Sequence, residues 1–263
     1  MLDLALSPCP NDTFLFYPWI HGRVGKIVLR PHFADIEQLN QWALAKKYPL
    51  IKLSIACYKE VSAYYELLPV GTALGFHVGP KIIAKESFAL EELPYKRIAI
   101  PGRNTTAHLL LQKLCPEPLE KHFCLYHEIA QLIETGQVDA GLIIHESRFT
   151  FTNNGFCEIV DLGEVWHEKF GLPLPLGGLA LQRNHPLRSA IIETIRHSYD
   201  YAYAHKEETL PFVLQHAQEI KEAVIQEHIE TYVTKESRSL SQEGVRAIHC
   251  LIDEEAICLR PGY

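Results

Sequence analysis

The sequence predicts an α/β protein of two lobes with a helical carboxyl-terminal region. Apolar runs of strand length alternate with helix-period segments through the first two thirds of the chain, as in units that build parallel sheets. A charged stretch at 85–95 and the path Gly171-Leu-Pro-Leu-Pro-Leu-Gly-Gly178 interrupt that alternation, and both read as crossings between lobes. From Pro186 onward the pattern is almost wholly helical. With 263 residues, 47% of them hydrophobic, the chain can fill one extended core or two smaller ones. We expect a discontinuous first lobe of residues 1–88 and 177–263, with residues 89–176 inserted as the second.

Leu2 to Leu6 reads as a short buried strand running into Ser7-Pro-Cys-Pro-Asn-Asp-Thr-Phe14. The prolines stop the strand, and Asn11 or Asp12 can cap the helix that follows. Polar loops directly after a first strand often touch ligands, although a well-capped turn explains the same letters. Residues 27–33 form a second strand and 35–46 a helix with Ile36, Leu39, Trp42 and Ala43 on one face. In the third strand, Leu50-Ile-Lys-Leu-Ser-Ile-Ala-Cys57, Lys52 and Ser54 share parity and leave on one side, as on a cleft wall. Equally, Lys52 can reach solvent and Ser54 can open the next helix. Helix is expected to continue over 61–68. Three glycines then interrupt the strand-like segment 71–80, and 80–84 reads as the strand leaving the first lobe.

The inserted lobe opens with Arg97-Ile-Ala-Ile-Pro-Gly102, a strand that turns into a threonine-capped helix at Arg103-Asn-Thr-Thr-Ala-His108. Such a junction offers free N–H groups, two hydroxyls and the positive end of a helix dipole to a carboxylate or phosphate. An ordinary cap by Asn104 or Thr105 accounts for part of it. A strand over 122–127 and a helix over 128–135 lead to Asp139-Ala-Gly-Leu-Ile-Ile-His-Glu-Ser-Arg-Phe149. Here an apolar run ends abruptly in polar residues, and ligands of open α/β sheets lie beyond the carboxyl ends of strands. His145 is therefore the candidate proton-transfer residue, since imidazole titrates near neutrality; closing the strand with a backbone hydrogen bond is its bland alternative. A turn at 153–155, a strand at 158–162 and four helices over 187–204, 206–216, 220–232 and 241–251 complete the chain, the helices clothing the first lobe.

A formal net charge of −7 excludes general nucleic-acid binding, which needs a basic surface. Seven cysteines without a Cys-x-x-Cys pair indicate reduced usage, and no His or Cys spacing fits a zinc site, so no metal is expected. Cys9 follows an apolar run, but the basic n-region is missing and Pro8 stands where a small residue would be cleaved. With no run of about eighteen apolar residues, no transmembrane helix is expected and a cytoplasmic location is. Cys9 is given no catalytic role.

Taken together and in order, the motifs at 7–14, 52–54, 71–80, 101–106, 141–149 and 171–177 resemble the 1,4-dihydroxy-6-naphthoate synthase family of the futalosine route to menaquinone. The resemblance implies a periplasmic-binding-protein type II architecture with a ligand cleft between the lobes. It implies a carbon–carbon lyase that converts cyclic dehypoxanthine futalosine, a carboxylated bicyclic compound, to 1,4-dihydroxy-6-naphthoate and a three-carbon fragment, dihydroxyacetone. His145 matches the family's catalytic base, and Lys52, Leu53, Ser54, Thr105 and Thr106 match its substrate contacts, with Asn11 and Asp12 joined to them from the first loop. The resemblance implies no cofactor and no metal; the expected partner is the small carboxylated substrate, not nucleic acid or membrane, and a homodimer is compatible with it. Two other readings stand beside this one. The same cleft could serve a cytoplasmic solute-binding or sensor protein for a small carboxylate, or a chorismate dehydratase of the same pathway.

Overall fold

A computed structural model describes residues 1–217 and 221–252. Its strands are β1 (Leu2–Leu6), β2 (Leu29–Phe33), β3 (Leu50–Ser54), β4 (Tyr65–Leu67), β5 (Ala73–Gly75), β6 (Lys81–Ala84), β7 (Arg97–Ile100), β8 (Glu120–Phe123), β9 (Ala140–Ile143), β10 (Cys157–Asp161) and β11 (Leu174–Gln182). The helices are α1 (Pro10–Ile20), α2 (Ile36–Leu44), α3 (Ile55–Val61), α4 (Thr106–Leu114), α5 (Ile129–Glu134), α6 (Ser147–Thr150), α7 (Leu162–Phe170), α8 (Arg188–Ala204), α9 (Lys206–His216), α10 (Glu222–Tyr232), α11 (Lys235–Arg238) and α12 (Gln242–Ile252).

Two sheets form, and their plans match. The first runs β2-β1-β3-β11-β4, with β5 also on β11; the second runs β10-β6-β9-β7-β8. In each, a leading strand (β1 or β7) lies parallel to the next strand on one side and to the third on the other. An antiparallel strand then flanks the third: β11 against β3, β6 against β9. The strand order therefore reverses at β1 and at β7, the positions where doubly wound sheets open a crevice at their carboxyl ends. Ser7–Asp12, the 101–106 turn and His145 follow the ends of such strands, and Ser54 is the last residue of one.

The hydrophobic pattern explains the layers. Leu2, Leu4 and Leu6 turn to one face of the first sheet, where Leu15, Phe16 and Trp19 of α1 and Ile191 and Ile195 of α8 pack on them. Ala5, Ile51 and Leu53 belong to the opposite core with Leu39, Tyr58 and Ile248. Asp35 caps α2 by accepting from the N–H groups of Glu37 and Gln38. Phe14, Val213, Ile225 and Ile229 form a separate cluster that seats α9 and α10 against α1.

Three expectations need correction. Residues 61–68 do not continue as helix, because Tyr65–Leu67 leaves α3 to pair with β11. The segment 80–84 is not the last strand of the first sheet: β6 pairs with β9 and β10, so the chain enters the second sheet before residue 81 rather than at 88/89. The proline-rich path at 171–178 is not merely a crossing, since Leu174–Gln182 is a nine-residue strand at the heart of the first sheet. A ladder usually rejects proline, and here the β11–β5 register shifts between Pro175 and Gly177. Helix α7 had no counterpart in the sequence reading. The expected helix at 220–232 begins at Glu222 within the described residues; its first residue lies outside them.

Candidate active site

A cavity of about 100 Å³ lies between the ends of the two sheets. Its walls bring together Asn11, Asp12, Lys52, Ser54, Thr105, Thr106 and His145, so seven of the eight residues singled out from the sequence meet in one place. The eighth, Leu53, does not line it: opposite parity along β3 turns its side chain into the core, with no exposure.

The first-lobe wall is tightly bonded. Lys52 Nζ lies 2.9 Å from Asp12 Oδ1 and donates to the carbonyl of Gly71 at 2.9 Å. Asp12 Oδ2 in turn accepts from Ser7 Oγ at 2.8 Å. Lys52 is 4% exposed and does not reach solvent; these contacts fasten it to the first loop from the cleft wall. Asn40, a buried residue of α2, donates to Ser54 Oγ at 3.0 Å and accepts from Ser54 N at 2.9 Å. A second bond from the Asn40 amide to the carbonyl of Asn104 joins the two lobes beneath the cleft.

The 101–106 junction works as its letters suggest, with the hydroxyls committed elsewhere. Thr105 Oγ1 caps α4 by accepting from His108 N and donates to Gly102 O. Thr106 Oγ1 donates to Leu176 O at 2.7 Å and ties α4 to β11. What remains for a ligand is backbone. The first N–H groups of α4, at Thr106 and Ala107, have no preceding helical carbonyl and sit on the cleft wall, suited to a carboxylate.

His145 follows β9 with φ of 58°, a left-handed conformation that costs a non-glycine residue roughly 1 kcal/mol. That turn carries the ring into the cleft beside Cys9, whose Sγ is 3.2 Å from Nδ1, and edge-on to Tyr126. Nε2 is sealed from bulk water and has no hydrogen-bond partner. Burial pushes the imidazole down to about 4, against a smaller opposing pull from Asp12 and Asp35. The ring is therefore neutral at physiological pH and able to accept a proton. Burial likewise raises the Cys9 thiol well above its ordinary range, with nearby Glu146 adding to it, so sulfur stays protonated. Among the described residues, Cys9, His145 and Glu146 place one ligand atom each within 4.8 Å of one another. That spacing could hold a metal ion, but a thiol kept neutral is a poor ligand.

This neutrality sets a pH dependence. The folded ring refuses a proton down to about pH 4, whereas an unfolded histidine takes one near 6.5. The contribution is thus complete above pH 6.5 and is lost as pH falls toward 4, amounting to about 3 kcal/mol. Urea denaturation between pH 4 and 7 should show a shallower pH slope for His145→Gln than for the wild type. Parallel slopes would contradict a buried neutral imidazole.

Arg148, Tyr232 and His228 are among the cleft residues that lay outside the sequence-based site. Arg148, on the short helix α6, donates to Tyr232 Oη and to Asp161 Oδ2, each at 2.9 Å, and its Nε is buried without a partner. Tyr232 and His228 come from α10, in the region assigned to clothing the fold. A signal for them existed. Ile225, His228, Ile229 and Tyr232 recur at helical spacing, so two polar rings occupy the buried stripe of an amphipathic helix.

Two sheets of matching plan around a central cleft define the periplasmic-binding-protein class of folds. The alkanesulfonate-binding protein SsuA of Xanthomonas axonopodis pv. citri superposes with a TM-score of 0.71 over 96% of this chain and 91% of its own, at 14% identity, a likeness of fold alone. A crystal structure of an Archaeoglobus fulgidus protein matches with a TM-score of 0.91 and 29% identity, covering 96% of this chain and 95% of that one. Residues 2–255 match a family model described as menaquinone biosynthesis. The 1,4-dihydroxy-6-naphthoate synthase of Thermus thermophilus is 45% identical over 96% of this chain and 93% of its own length. Its Streptomyces coelicolor counterpart is 37% identical over 97% and 93%. The chain belongs to the menaquinone biosynthesis family, an enzyme family, and sits with its 1,4-dihydroxy-6-naphthoate synthases.

Proposed function

We propose that the chain is a carbon–carbon lyase that converts cyclic dehypoxanthine futalosine to 1,4-dihydroxy-6-naphthoate and dihydroxyacetone, with His145 as the base. The observation that carries this reading is a neutral imidazole that lines the cleft from the second sheet and whose Nε2 has no hydrogen-bond partner. With Nδ1–H donated to the Cys9 sulfur, Nε2 holds the lone pair that removes a proton from a carbon beside a carbonyl. Cys9 then orients the ring and takes no part in bond making. The Thr106 and Ala107 amides grip the substrate carboxylate or a growing oxyanion, and Ser54 offers a hydroxyl held by Asn40. Formation of an aromatic ring drives the cleavage.

The reading places the reaction in the cytoplasm, where a chain with free cysteines and a place in quinone biosynthesis fits. Among the described residues no helix is long and apolar enough to cross a membrane. Incubating purified protein with the cyclic substrate, and following naphthoate by absorbance and mass, tests the proposal. Release of an equimolar three-carbon product is the expected result. Unchanged substrate would point to a receptor, and turnover of chorismate instead to a dehydratase.

A further inference from the structure

We propose that His228 is a second catalytic base, whose Nδ1 takes the proton of the substrate hydroxyl on the carbon that is cut from the three-carbon fragment. The inference rests on the lyase reading above and extends it.

The geometry fixes the protonation of this ring. Asn11 donates its amide to Asp12 Oδ1 at 2.9 Å, which leaves Asn11 Oδ1 facing His228 Nε2 at 3.0 Å. A carbonyl oxygen accepts, so Nε2 carries the hydrogen and Nδ1 the lone pair. That Nδ1 is buried and has no hydrogen-bond partner, although His228 is 1% exposed and lines the cleft. Tyr232 and Phe149 pack edge-on against the ring and hold its plane. A structural role is satisfied by the bond to Asn11; it leaves the bare acceptor unexplained. Buried acceptors without partners are uncommon, and in a cleft they await a donor from the ligand.

The first loop also pairs the two imidazoles. Cys9 touches His145 and Asn11 touches His228, two residues apart at the start of α1. One ring comes from the second sheet and the other from the carboxyl-terminal helices. Burial and the neighbouring His145 and Arg148 hold His228 well below the ordinary histidine range, so it too is neutral.

The reaction needs such a second group. His145 removes a C–H proton beside a carbonyl and returns it in the shift that sets a hydroxyl β to the carbonyl. Cleavage then requires that hydroxyl to lose its proton to His228. Its oxygen forms the new C=O, and the electron pair of the broken C–C bond passes into the three-carbon fragment as an enolate. The proton on His228 moves to that enolate, which restores both imidazoles without an oxidant, a reductant or an outside acid.

The test uses His228→Gln, whose amide nitrogen can keep the bond to Asn11 while the acceptor is lost, and His228→Asn, which puts an oxygen near the Nδ1 position. Each variant is incubated with cyclic dehypoxanthine futalosine in D₂O, and naphthoate release is read beside deuterium uptake into unconverted substrate. Cleavage by His228→Gln should fall about 100-fold or more while deuterium uptake persists, because His145 still exchanges the C–H proton. Retention of more cleavage by His228→Asn than by His228→Gln would also support the assignment. Equal cleavage by His228→Gln and wild type, or loss of exchange and cleavage in the same proportion, would overturn it while leaving the lyase reading intact. Wild-type protein that makes no naphthoate would overturn both.

Discussion

Replacing His145 by alanine should lower kcat by about 10³ to 10⁴-fold and leave KM within a few-fold of wild type, the span expected when a general base is removed. The grip on the substrate and the proton transfer come from different walls of the cleft. Ser54 and the Thr106–Ala107 amides belong to β3 and the start of α4, and none of their contacts runs through the imidazole. The ring's hydrogen bond goes to Cys9 and its aromatic contact to Tyr126, neither of which carries those groups. Because it borders the cleft, truncation widens a cavity that already exists, and no void is cut into the apolar core. The variant should therefore fold and bind product as the wild type does. Stopped-flow binding of naphthoate, run beside steady-state turnover, separates the two effects. A His145→Ala protein with wild-type turnover would remove the base from the mechanism, and equal losses of binding and turnover would recast it as structural.

The parts of this site that could be read from the sequence are those whose signal is local. Lys52 and Ser54 share a cleft wall because strand parity is two, and the same parity sends Leu53 into the core; the run ending at His145 marks a strand end by composition alone. What escaped reading depends on partners far along the chain. Val61 to Leu68 carries tyrosines and leucines that fit either period, and pairing with β11 more than a hundred residues away decides for a strand at Tyr65–Leu67. Similarly, nothing in 80–84 states that Ile82 will face Leu142 across the second sheet. His228 reaches Asn11 over a separation of 217 residues, so its place in the cleft follows from how α10 docks on α1. Helical spacing put His228 and Tyr232 on a buried stripe, but a buried stripe near a core and one near a cleft look alike in sequence.

Asp12→Asn should destabilise the fold by about 3–5 kcal/mol, since it strands a buried lysine whose partner charge is gone. Lys52 is 4% exposed and Asp12 1%, and only neutral acceptors, the Gly71 carbonyl and the new amide oxygen, remain to face the ammonium. For a chain of this length the loss corresponds to a fall in Tm of about 10 °C, readable by scanning calorimetry. The double variant Lys52→Met with Asp12→Asn should recover much of it, because methionine needs no counter-charge and fills similar volume; additive losses would sink the ion-pair account. Turnover should respond differently from stability. Asp12 also accepts from Ser7 and Asn11, and so holds the loop that presents Cys9 to His145 and Asn11 to His228. Relieving the stranded charge does not restore those bonds, so the double variant should regain its Tm and stay slow. A double variant with both wild-type Tm and wild-type kcat would show that the loop aligns neither ring, and that the buried pair serves the fold alone.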